Sequence, residues 1–391
     1  MGQLSDRLNR LAPSATLAMS QKSNEMKAQG IDVINMSVGE PDFNTPDQIK
    51  AAAKKAIDEN YSKYSPVPGY ADLRKAVAAK LKNENGLDYT INEILVSNGA
   101  KQSVCNTLMA LVNDGDEVII PAPYWVSYPQ MVKLAGGNPV FVNAGFEQDF
   151  KMTPEQLEAA ITPKTKMLIL CSPSNPTGSV YSEEELAGLA EVIKKHEGMY
   201  VLADEIYEHI SYIAKIEGMK ERSIIVNGES KAYAMTGWRI GYIAAPEWIV
   251  KGCNKLQGQY TSCPCSVSQK AAEAAYTLEQ GCVEDMRKAF ERRRDLIVEL
   301  AKDIPGLEVN VPEGAFYLFP KCSSFFGKSN GEKTINSSTD FALYLLEKAH
   351  VATVGGDAFG DPECFRMSYA TSDENIKEAM HRIKENLAKL K

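Results

Sequence analysis

The sequence predicts an α/β fold: a mostly parallel sheet covered by helices in a large domain, with a smaller α+β domain beside it. Two observations lead to this prediction. Short apolar runs alternate with helical segments through much of the 391 residues, which is the pattern of a parallel sheet buried on both faces. The chain is also too long for one small core, so two domains are expected.

The sheet strands are predicted where short apolar runs end in small or polar residues. These runs span residues 94–97, 117–120, 166–171, 200–203, 223–226 and 240–245. Open parallel sheets bind their ligands outside the carboxyl ends of the strands. The polar clusters that follow these runs are therefore candidates for a single site.

Helix starts are indicated by a Thr or Ser followed three residues later by Gln or Glu, the pattern of a capping box. Three such pairs occur: Thr45 with Gln48, Thr153 with Gln156, and Ser182 with Glu185. In the first two, proline occupies the first helical position, where its missing N–H costs nothing. We therefore expect helices to begin after Thr45, Thr153 and Ser182.

The smaller domain is expected to combine both ends of the chain. We predict a large domain at 46–285 and a smaller one from 1–45 and 286–391. A long helix carrying three consecutive arginines, 292–294, is expected to bridge the two. The other elements predicted for the smaller domain are strands at 33–37, 314–319 and 365–369 and a closing helix at 372–390.

Composition and charge narrow the class of protein. A net charge of -8 argues against nucleic acid or an anionic membrane as main partner. No apolar run approaches the ~20 residues that span a bilayer, and no signal-peptide stretch opens the chain. The eight cysteines are scattered, so reduced thiols and a cytoplasmic location are expected. With no CxxC pair and no cluster among the four histidines, no metal site is expected.

The stretch Ser-Lys-Ala-Tyr-Ala-Met-Thr-Gly-Trp-Arg at 230–239 carries the clearest chemistry. It follows the predicted strand 223–226, which places Lys231 at the mouth of the sheet. A lysine in such a pocket loses its proton easily and can attack a carbonyl as an amine. Ser230 and Arg239 suit a phosphate. An amine beside a phosphate site suggests pyridoxal phosphate, although a Ser-Lys pair alone would more often be a surface loop.

Further motifs make this sequence resemble the class I aminotransferases, within the fold-type-I pyridoxal phosphate-dependent transferases. The resemblance covers nearly the whole chain and is closest to the bacterial aspartate and prephenate aminotransferase branch. The matching stretches besides the lysine segment are Ser-Val-Gly-Glu-Pro-Asp-Phe (37–43), Lys-Tyr-Ser-Pro (63–66), Asn-Gly-Ala-Lys-Gln (98–102), Pro-Tyr-Trp (123–125), Asn-Pro-Thr-Gly (175–178), Asp-Glu-Ile-Tyr (204–207) and Arg-Met-Ser-Tyr-Ala (366–370).

The resemblance implies a role for each site residue toward pyridoxal 5'-phosphate. Lys231 would hold the cofactor and then act as the base of the proton transfer. Asp204 would pair with the pyridine nitrogen, and Trp125 would stack on the ring. The other implied cofactor contacts are Gly99, Ala100, Lys101, Asn175, Tyr207, Ser230 and Arg239, with Tyr64 supplied by a second subunit. Asp204 could instead cap a helix.

The resemblance also implies how the substrate is bound. Arg366 would grip the α-carboxylate, unless it forms an ordinary ion pair. Gly39, Trp125 and Asn175 would add contacts to the same amino acid. Lys101 and Thr16 would read the distal carboxylate of a dicarboxylic substrate. Lys101 could instead support the phosphate or stay solvated.

These implications predict an aminotransferase that moves an amino group between aspartate or glutamate and 2-oxoglutarate or oxaloacetate by a ping-pong mechanism. A homodimer with shared sites is expected. The alternatives are a prephenate, aromatic or neutral amino acid aminotransferase, or a β-lyase. A transcription-regulator effector domain is a remoter alternative, because the family match begins by Pro13. Two local expectations follow from the family: a cis Asn175–Pro176 bond, and a shortened stretch between Tyr212 and Ser223.

Overall fold

The computed structural model describes residues 4–207 and 213–391. Its helices are α1 (Asp6–Asn9), α2 (Ala15–Ala28), α3 (Asp47–Asp58), α4 (Ala71–Asn85), α5 (Ala100–Leu111), α6 (Tyr128–Leu134), α7 (Pro154–Ala160), α8 (Glu183–Lys195), α9 (Glu247–Tyr260), α10 (Ser266–Thr277), α11 (Gly281–Lys302), α12 (Ser338–Tyr344) and α13 (Asp373–Leu387). Its strands are β1 (Ile34–Asn35), β2 (Ile94–Ser97), β3 (Glu117–Ala122), β4 (Asn138–Asn143), β5 (Thr165–Cys171), β6 (Tyr200–Asp204), β7 (Ser223–Asn227), β8 (Gly241–Ala244), β9 (Tyr317–Leu318), β10 (Val351–Ala352), β11 (Val354–Gly355) and β12 (Phe365–Ser368).

The central sheet of the described chain has seven strands in the order β2-β8-β7-β6-β5-β3-β4. Strand β8 is antiparallel to both of its neighbours, and the other pairings are parallel. The predicted mostly parallel sheet is therefore confirmed, with all six predicted strands present. Strand β4, an edge strand, was not predicted.

The sheet is buried on both faces, as its continuous apolar strands require. Along β5, Met167 and Ile169 belong to the cluster packed under α5 and α9, whereas Leu168 and Leu170 belong to the cluster under α8. This alternation follows from the two-residue period of side chains along a strand. Packing on both faces leaves the strand ends as the place for polar side chains.

Two of the three predicted capping boxes are present, at Thr153 with Gln156 and at Ser182 with Glu185. The prediction for Thr45 is wrong. Helix α3 begins at Asp47, and its N-cap residue is Pro46. The Thr45 hydroxyl instead donates to the carbonyl of Ala234 at 2.7 Å and accepts from the indole N–H of Trp238 at 3.0 Å. The Thr45 hydroxyl is therefore engaged in a tertiary contact with the segment after Lys231, and it does not cap α3.

A second core collects elements from both ends of the chain. Strand β1 pairs in parallel with β10, and β9, β12 and β11 form a separate antiparallel sheet. Their buried side chains pack with α11 and α13 in one hydrophobic cluster. The strand predicted at 314–319 is shorter than expected, because only Tyr317–Leu318 pairs with β12. The domain bounds 46–285 and 286–391 stay a prediction.

Helix α11 carries the predicted arginine run and contacts the loop after β1. Arg293 makes a two-pronged ion pair with Asp42, at 2.7 and 2.9 Å, and only 7% of Arg293 is exposed. Arg292, its neighbour, bonds Asp373 near the start of α13 from an exposed position. The helix therefore links the N-terminal loop with the C-terminal helix.

The predicted shortening between Tyr212 and Ser223 lies partly outside the described residues, since Tyr212 is not among them. The described part, 213–222, forms two short 3-10 turns before β7. None of the described helices combines the length and apolar character needed to cross a bilayer.

Candidate active site

Lys231 lies in the loop after β7, as predicted, and its side chain is held by one direct contact. Its Nζ donates to the carbonyl oxygen of Gly39 at 2.6 Å. Burial lowers the pKa of Lys231 to about 8, with Glu40 opposing this shift and Arg366 and Arg239 adding to it. Desolvation of an ammonium favours the neutral amine. The fold thus prepares this amine to act as a nucleophile or base near neutral pH.

Asp204 ends strand β6, and the described residues that follow it, 205–207, are not helical, so they give the helix-cap alternative no support. Its side chain is buried, and burial raises its pKa to about 6. The Tyr128 hydroxyl donates to Asp204 Oδ2 at 2.6 Å, and the Ile206 N–H donates to Oδ1 at 3.3 Å. Both contacts oppose the shift because hydrogen bonds to the charged form favour it. The ionised form of Asp204 is therefore stabilised by its neighbours Tyr128 and Ile206 against the effect of burial.

Arg366, on β12, is a buried cation without a carboxylate partner among the described residues. Its Nη1 donates to Asn175 Oδ1 at 2.8 Å and its Nη2 to the Ser37 carbonyl at 2.6 Å. Its Nε has no hydrogen-bond partner in the described part of the chain. The aromatic rings of Tyr317 and Phe359 lie 4.6 and 4.9 Å from the guanidinium carbon. Such a guanidinium is a ready site for an anion, and within the described residues it forms no ordinary ion pair.

Gly39 approaches this site so closely that no side chain fits. A Cβ atom at Gly39 would lie 2.0 Å from the Tyr317 hydroxyl. That hydroxyl also shares a 2.7 Å hydrogen bond with the hydroxyl of Tyr207. Glycine here lets the loop after β1 reach Lys231, Tyr207 and Tyr317 together.

A second anion site lies at the amino end of α5. Gly99 has φ +82°, and a Cβ there would lie 2.3 Å from Arg239 Nη2. Arg239 donates to Thr236 O at 2.8 Å and to Asn98 O at 3.4 Å. The first N–H groups of a helix, here from Ala100 onward, have no intrahelical acceptor, so together with the guanidinium they suit a phosphate. Ser230, buried, precedes Lys231.

Lys101 and Trp125, predicted separately, lie together. Lys101 Nζ lies 4.8 Å from the Trp125 ring centroid, which is cation–π distance. Burial lowers the pKa of Lys101, and Arg239 adds to the effect. From this position the Lys101 side chain suits either a phosphate or a distal carboxylate.

Thr16 and Tyr64 are not joined to the other site residues by any described contact. Thr16 lies in the first turn of α2, half-buried. Tyr64 has 92% of its side chain exposed. A residue expected to act from a second subunit should be exposed in one chain, so Tyr64 is placed as that expectation requires.

Tyr128 and Tyr317 touch predicted site residues and were missed in the sequence. Tyr317 lies in the stretch predicted as a strand, and Tyr128 follows the Pro-Tyr-Trp motif by three residues. No pattern in the sequence pairs Tyr128 with Asp204, which lies 76 residues away. Only the packing of α6 against the sheet reveals that contact.

A cavity of about 570 Å³ reaches Lys231 from the side of α11. Its wall includes Tyr207, Tyr233, Phe290 and Phe316. Its volume lies within the range of small-molecule pockets. Tyr207 immediately precedes the residues outside the described part, so the full boundary of the cavity is not described.

The expected cis bond at Asn175–Pro176 is wrong. The cis peptide bonds of the described chain are Ala122–Pro123 and Ser172–Pro173. Asn175 and Pro176 instead lie in a turn closed by a 2.9 Å hydrogen bond from Gly178 N–H to Ser174 O. The turn is therefore closed with the Asn175–Pro176 peptide bond in the ordinary trans form.

A lysine at a strand end, a buried carboxylate and two anion sites are the parts of an amino-group transfer site. The family model "Aminotransferase class I and II" matches residues 31–383. The chain belongs to this family and is an aminotransferase, and its fold is that of the fold-type-I transferases.

Relatives and solved structures agree with this class. The chain is 51% identical over 392 residues to the probable aspartate/prephenate aminotransferase of Rickettsia bellii (strain RML369-C), with 98% of each chain covered. It is 47% identical over 399 residues to a bifunctional aspartate aminotransferase and glutamate/aspartate-prephenate aminotransferase of Petunia hybrida, covering 99% of this chain and 83% of that protein. The crystal structure of the aspartate aminotransferase from Rhizobium meliloti superposes with a TM-score of 0.97 at 43% identity, with both chains fully covered.

Proposed function

We propose that this aminotransferase uses pyridoxal 5'-phosphate to move an amino group between aspartate or glutamate and 2-oxoglutarate or oxaloacetate, by a ping-pong mechanism. The observation that carries the proposal is the half-buried Lys231, whose pKa is lowered to about 8, in one site with the buried Arg366. The amine suits a carbonyl cofactor and the guanidinium suits a substrate carboxylate.

The residues present fit the cofactor. The amino end of α5 with Arg239 suits a phosphate, and Gly99 leaves room that a Cβ would fill. Asp204, buried and partly ionised, suits the protonated pyridine nitrogen. Trp125 would cover the ring, while Asn175 and Tyr207 would approach its oxygen substituent. When bound, the cofactor supplies an electron sink for the negative charge that develops at the substrate Cα.

The protein's own groups would carry out binding and proton transfer. Arg366 and Asn175 would bind and orient the α-carboxylate. Lys231 would take the proton from the substrate Cα and return it, because its lowered pKa of about 8 gives a larger share of free amine near physiological pH than an ordinary lysine has. The Gly39 carbonyl accepts a hydrogen bond from this amine. Asn175, Asp204 and Arg366 are buried, and the scarcity of water around them strengthens their electrostatic contacts.

Two observations support the choice of substrate: the names of similar proteins and the positive charge of Lys101. Several relatives are named aspartate/prephenate aminotransferases, and a similar aspartate aminotransferase from Thermus thermophilus was solved with maleate, a dicarboxylate (TM-score 0.93, 39% identity, 99% and 100% of the chains covered). Lys101 would supply the positive charge for a distal carboxylate, with Thr16 as a second contact. The same names favour prephenate as a second amino acceptor for this chain.

We further propose a homodimer whose sites are shared, with Tyr64 reaching the phosphate of the second subunit. The exposed Tyr64 side chain supports this. A cytoplasmic enzyme acting on small amino acids and 2-oxo acids is consistent with the negative charge and scattered thiols.

The direct test is Lys231→Ala, with Lys255→Ala on the exposed face of α9 as the matched control. The purified proteins are mixed with pyridoxal 5'-phosphate and then with single amino acids, and the cofactor absorbance is followed. We expect the Lys231 variant to remain folded and lose turnover, whereas the control behaves as wild type. Turnover near the wild-type rate in the Lys231 variant would contradict the proposal.

A further inference from the structure

Tyr128 connects the two groups proposed to hold the cofactor ring. It is the first residue of α6 and only 2% exposed. Its hydroxyl donates to Asp204 Oδ2 at 2.6 Å. Its ring meets the Trp125 ring edge-to-face, with centroids 5.2 Å apart and planes at 85°. One buried side chain therefore touches both the carboxylate and the indole.

The contact to Asp204 is the stronger of the two hydrogen bonds that this carboxylate accepts. The other donor, the Ile206 N–H, is at 3.3 Å, long for a bond to a charged acceptor. Tyr128 also fixes the direction of the carboxylate, because Oδ2 points at α6 while Oδ1 caps the turn after β6. Removing the hydroxyl would leave Oδ2 in a buried place without this donor.

The charge of Asp204 depends on this donor. Among the described residues, Lys231 acts on Asp204 through its charge, and Cys171 and Glu205 are further titratable groups in this environment. Burial raises the pKa of Asp204 to about 6, and the Tyr128 hydroxyl and the positive charge of Lys231 both oppose the rise. Once Lys231 is neutral, its opposition disappears and Tyr128 remains.

We propose that Tyr128 is a positioning residue that keeps Asp204 ionised and aimed at the pyridine nitrogen, while supporting Trp125 over the ring. The inference rests on the proposed function, since it gives Tyr128 a task toward pyridoxal phosphate. Tyr128 itself does not touch the reacting atoms; it acts through Asp204.

The test uses Tyr128→Phe, which keeps the ring against Trp125 and deletes only the donor. Tyr124→Phe is the matched control, because Tyr124 lies on the same segment and stacks on Phe141. The first readout is the protonation of Asp204 in the cofactor-free protein, by isotope-edited infrared difference against Asp204→Asn. We expect the midpoint to rise by about one pH unit, roughly tenfold in proton affinity, with no change in the control.

The second readout is the dissociation constant for pyridoxal 5'-phosphate across pH. Tyr128→Phe should weaken binding roughly twofold near pH 7 and roughly tenfold below about pH 5, where the ionised fraction of Asp204 differs tenfold between the two proteins. The difference should vanish at higher pH, where Asp204 is ionised in both proteins. In an Asp204→Asn background the same substitution should change the dissociation constant little. Equal weakening in both backgrounds would show a packing role only and overturn the inference.

The outcomes separate this inference from the proposed function. If wild-type protein does not bind pyridoxal 5'-phosphate, the proposed function and the role of Tyr128 are both contradicted. If it binds and the Asp204 midpoint is unchanged in Tyr128→Phe, only the role of Tyr128 is contradicted. Should that variant fail to fold, 3-fluorotyrosine at position 128 replaces it. Its more acidic hydroxyl should lower the Asp204 midpoint, and an unchanged midpoint would again overturn the inference.

Discussion

At the scale of single residues, Lys101 is the side chain on which substrate choice depends. It lies over Trp125, at the start of α5 and beside Arg239, so it shares a region with both the ring and phosphate sites. The lysine ammonium is a point charge on a flexible stem, whereas an arginine guanidinium offers a rigid, planar set of donors. It can therefore serve a distal carboxylate only if that carboxylate comes within direct reach.

We expect Lys101→Ser to weaken aspartate and glutamate far more than alanine or phenylalanine. A charge-assisted contact contributes about 1.5–3 kcal/mol, which corresponds to roughly ten- to a hundredfold in the ratio of kcat/KM values. The measurement is kcat/KM for the four amino acids in the variant, in wild type and in Lys255→Ser. Equal losses on acidic and neutral amino acids would remove Lys101 from substrate recognition.

The positions of single residues in the fold were predicted correctly where a short motif marks them, while their roles stay predictions. The lysine stretch 230–239 and the aspartate ending a strand could both be found in the sequence, because neighbouring residues along the chain mark them. Tyr128 could not be predicted as a site residue, because its place in the site depends on a contact with Asp204, which is distant in the sequence. Thr45 was assigned wrongly because its hydroxyl bonds Ala234 and Trp238, far along the chain. Local patterns do not contain such contacts.

At the scale of elements, helix α11 anchors the loop that brings Gly39 to the site. Its Arg293 holds Asp42 with two hydrogen bonds and lies 5.0 Å from the ring centroid of Phe43. Breaking a buried pair leaves one partner without its counter-charge. The position of the loop 37–43 therefore depends on α11.

We expect Arg293→Ala to lower the free energy of unfolding by about 2–4 kcal/mol, below the upper end for fully buried pairs because Asp42 is partly exposed. The adjacent Arg292→Ala is the control, and it should cost at most about 1 kcal/mol because its pair with Asp373 is exposed. Denaturant unfolding of the three proteins measures both values. Similar losses in the two variants would contradict the anchoring role.

Elements were predicted well where both faces of a strand are buried. Strand β2 was predicted with its exact bounds, since all four of its residues are buried. Edge strand β4, Asn-Pro-Val-Phe-Val-Asn, was missed because none of its residues is buried and it contains proline. Its pairing with β3 decides its structure more than its own sequence does.

At the scale of the whole molecule, the exposed Tyr64 makes the site incomplete in one chain if the shared-site proposal holds. Mixed dimers test this. Tyr64→Phe and Lys231→Ala proteins are dissociated together and allowed to re-pair. A heterodimer should then contain one site with both lesions and one with neither, so activity should rise above that of the Tyr64→Phe parent.

The control is the same mixture kept without the dissociation step, whose activity should equal that of its parents. Light scattering should give twice the mass of the single chain for every variant. If re-paired mixtures never exceed the Tyr64→Phe parent, Tyr64 does not act across the interface.

The pairing of β1 with β10 has a consequence for synthesis of the protein. Ile34 is in register with Val351, more than 300 residues later, and Ser37 is held by Arg366. Ribosomes add roughly 5–20 residues each second, so the amino-terminal segment must wait some tens of seconds for its partners to emerge. In the later part of that time, once β8 has been made, the sheet from β2 to β8 can already fold. The contacts that bring Ser37 to Arg366 are therefore completed only when translation has nearly ended.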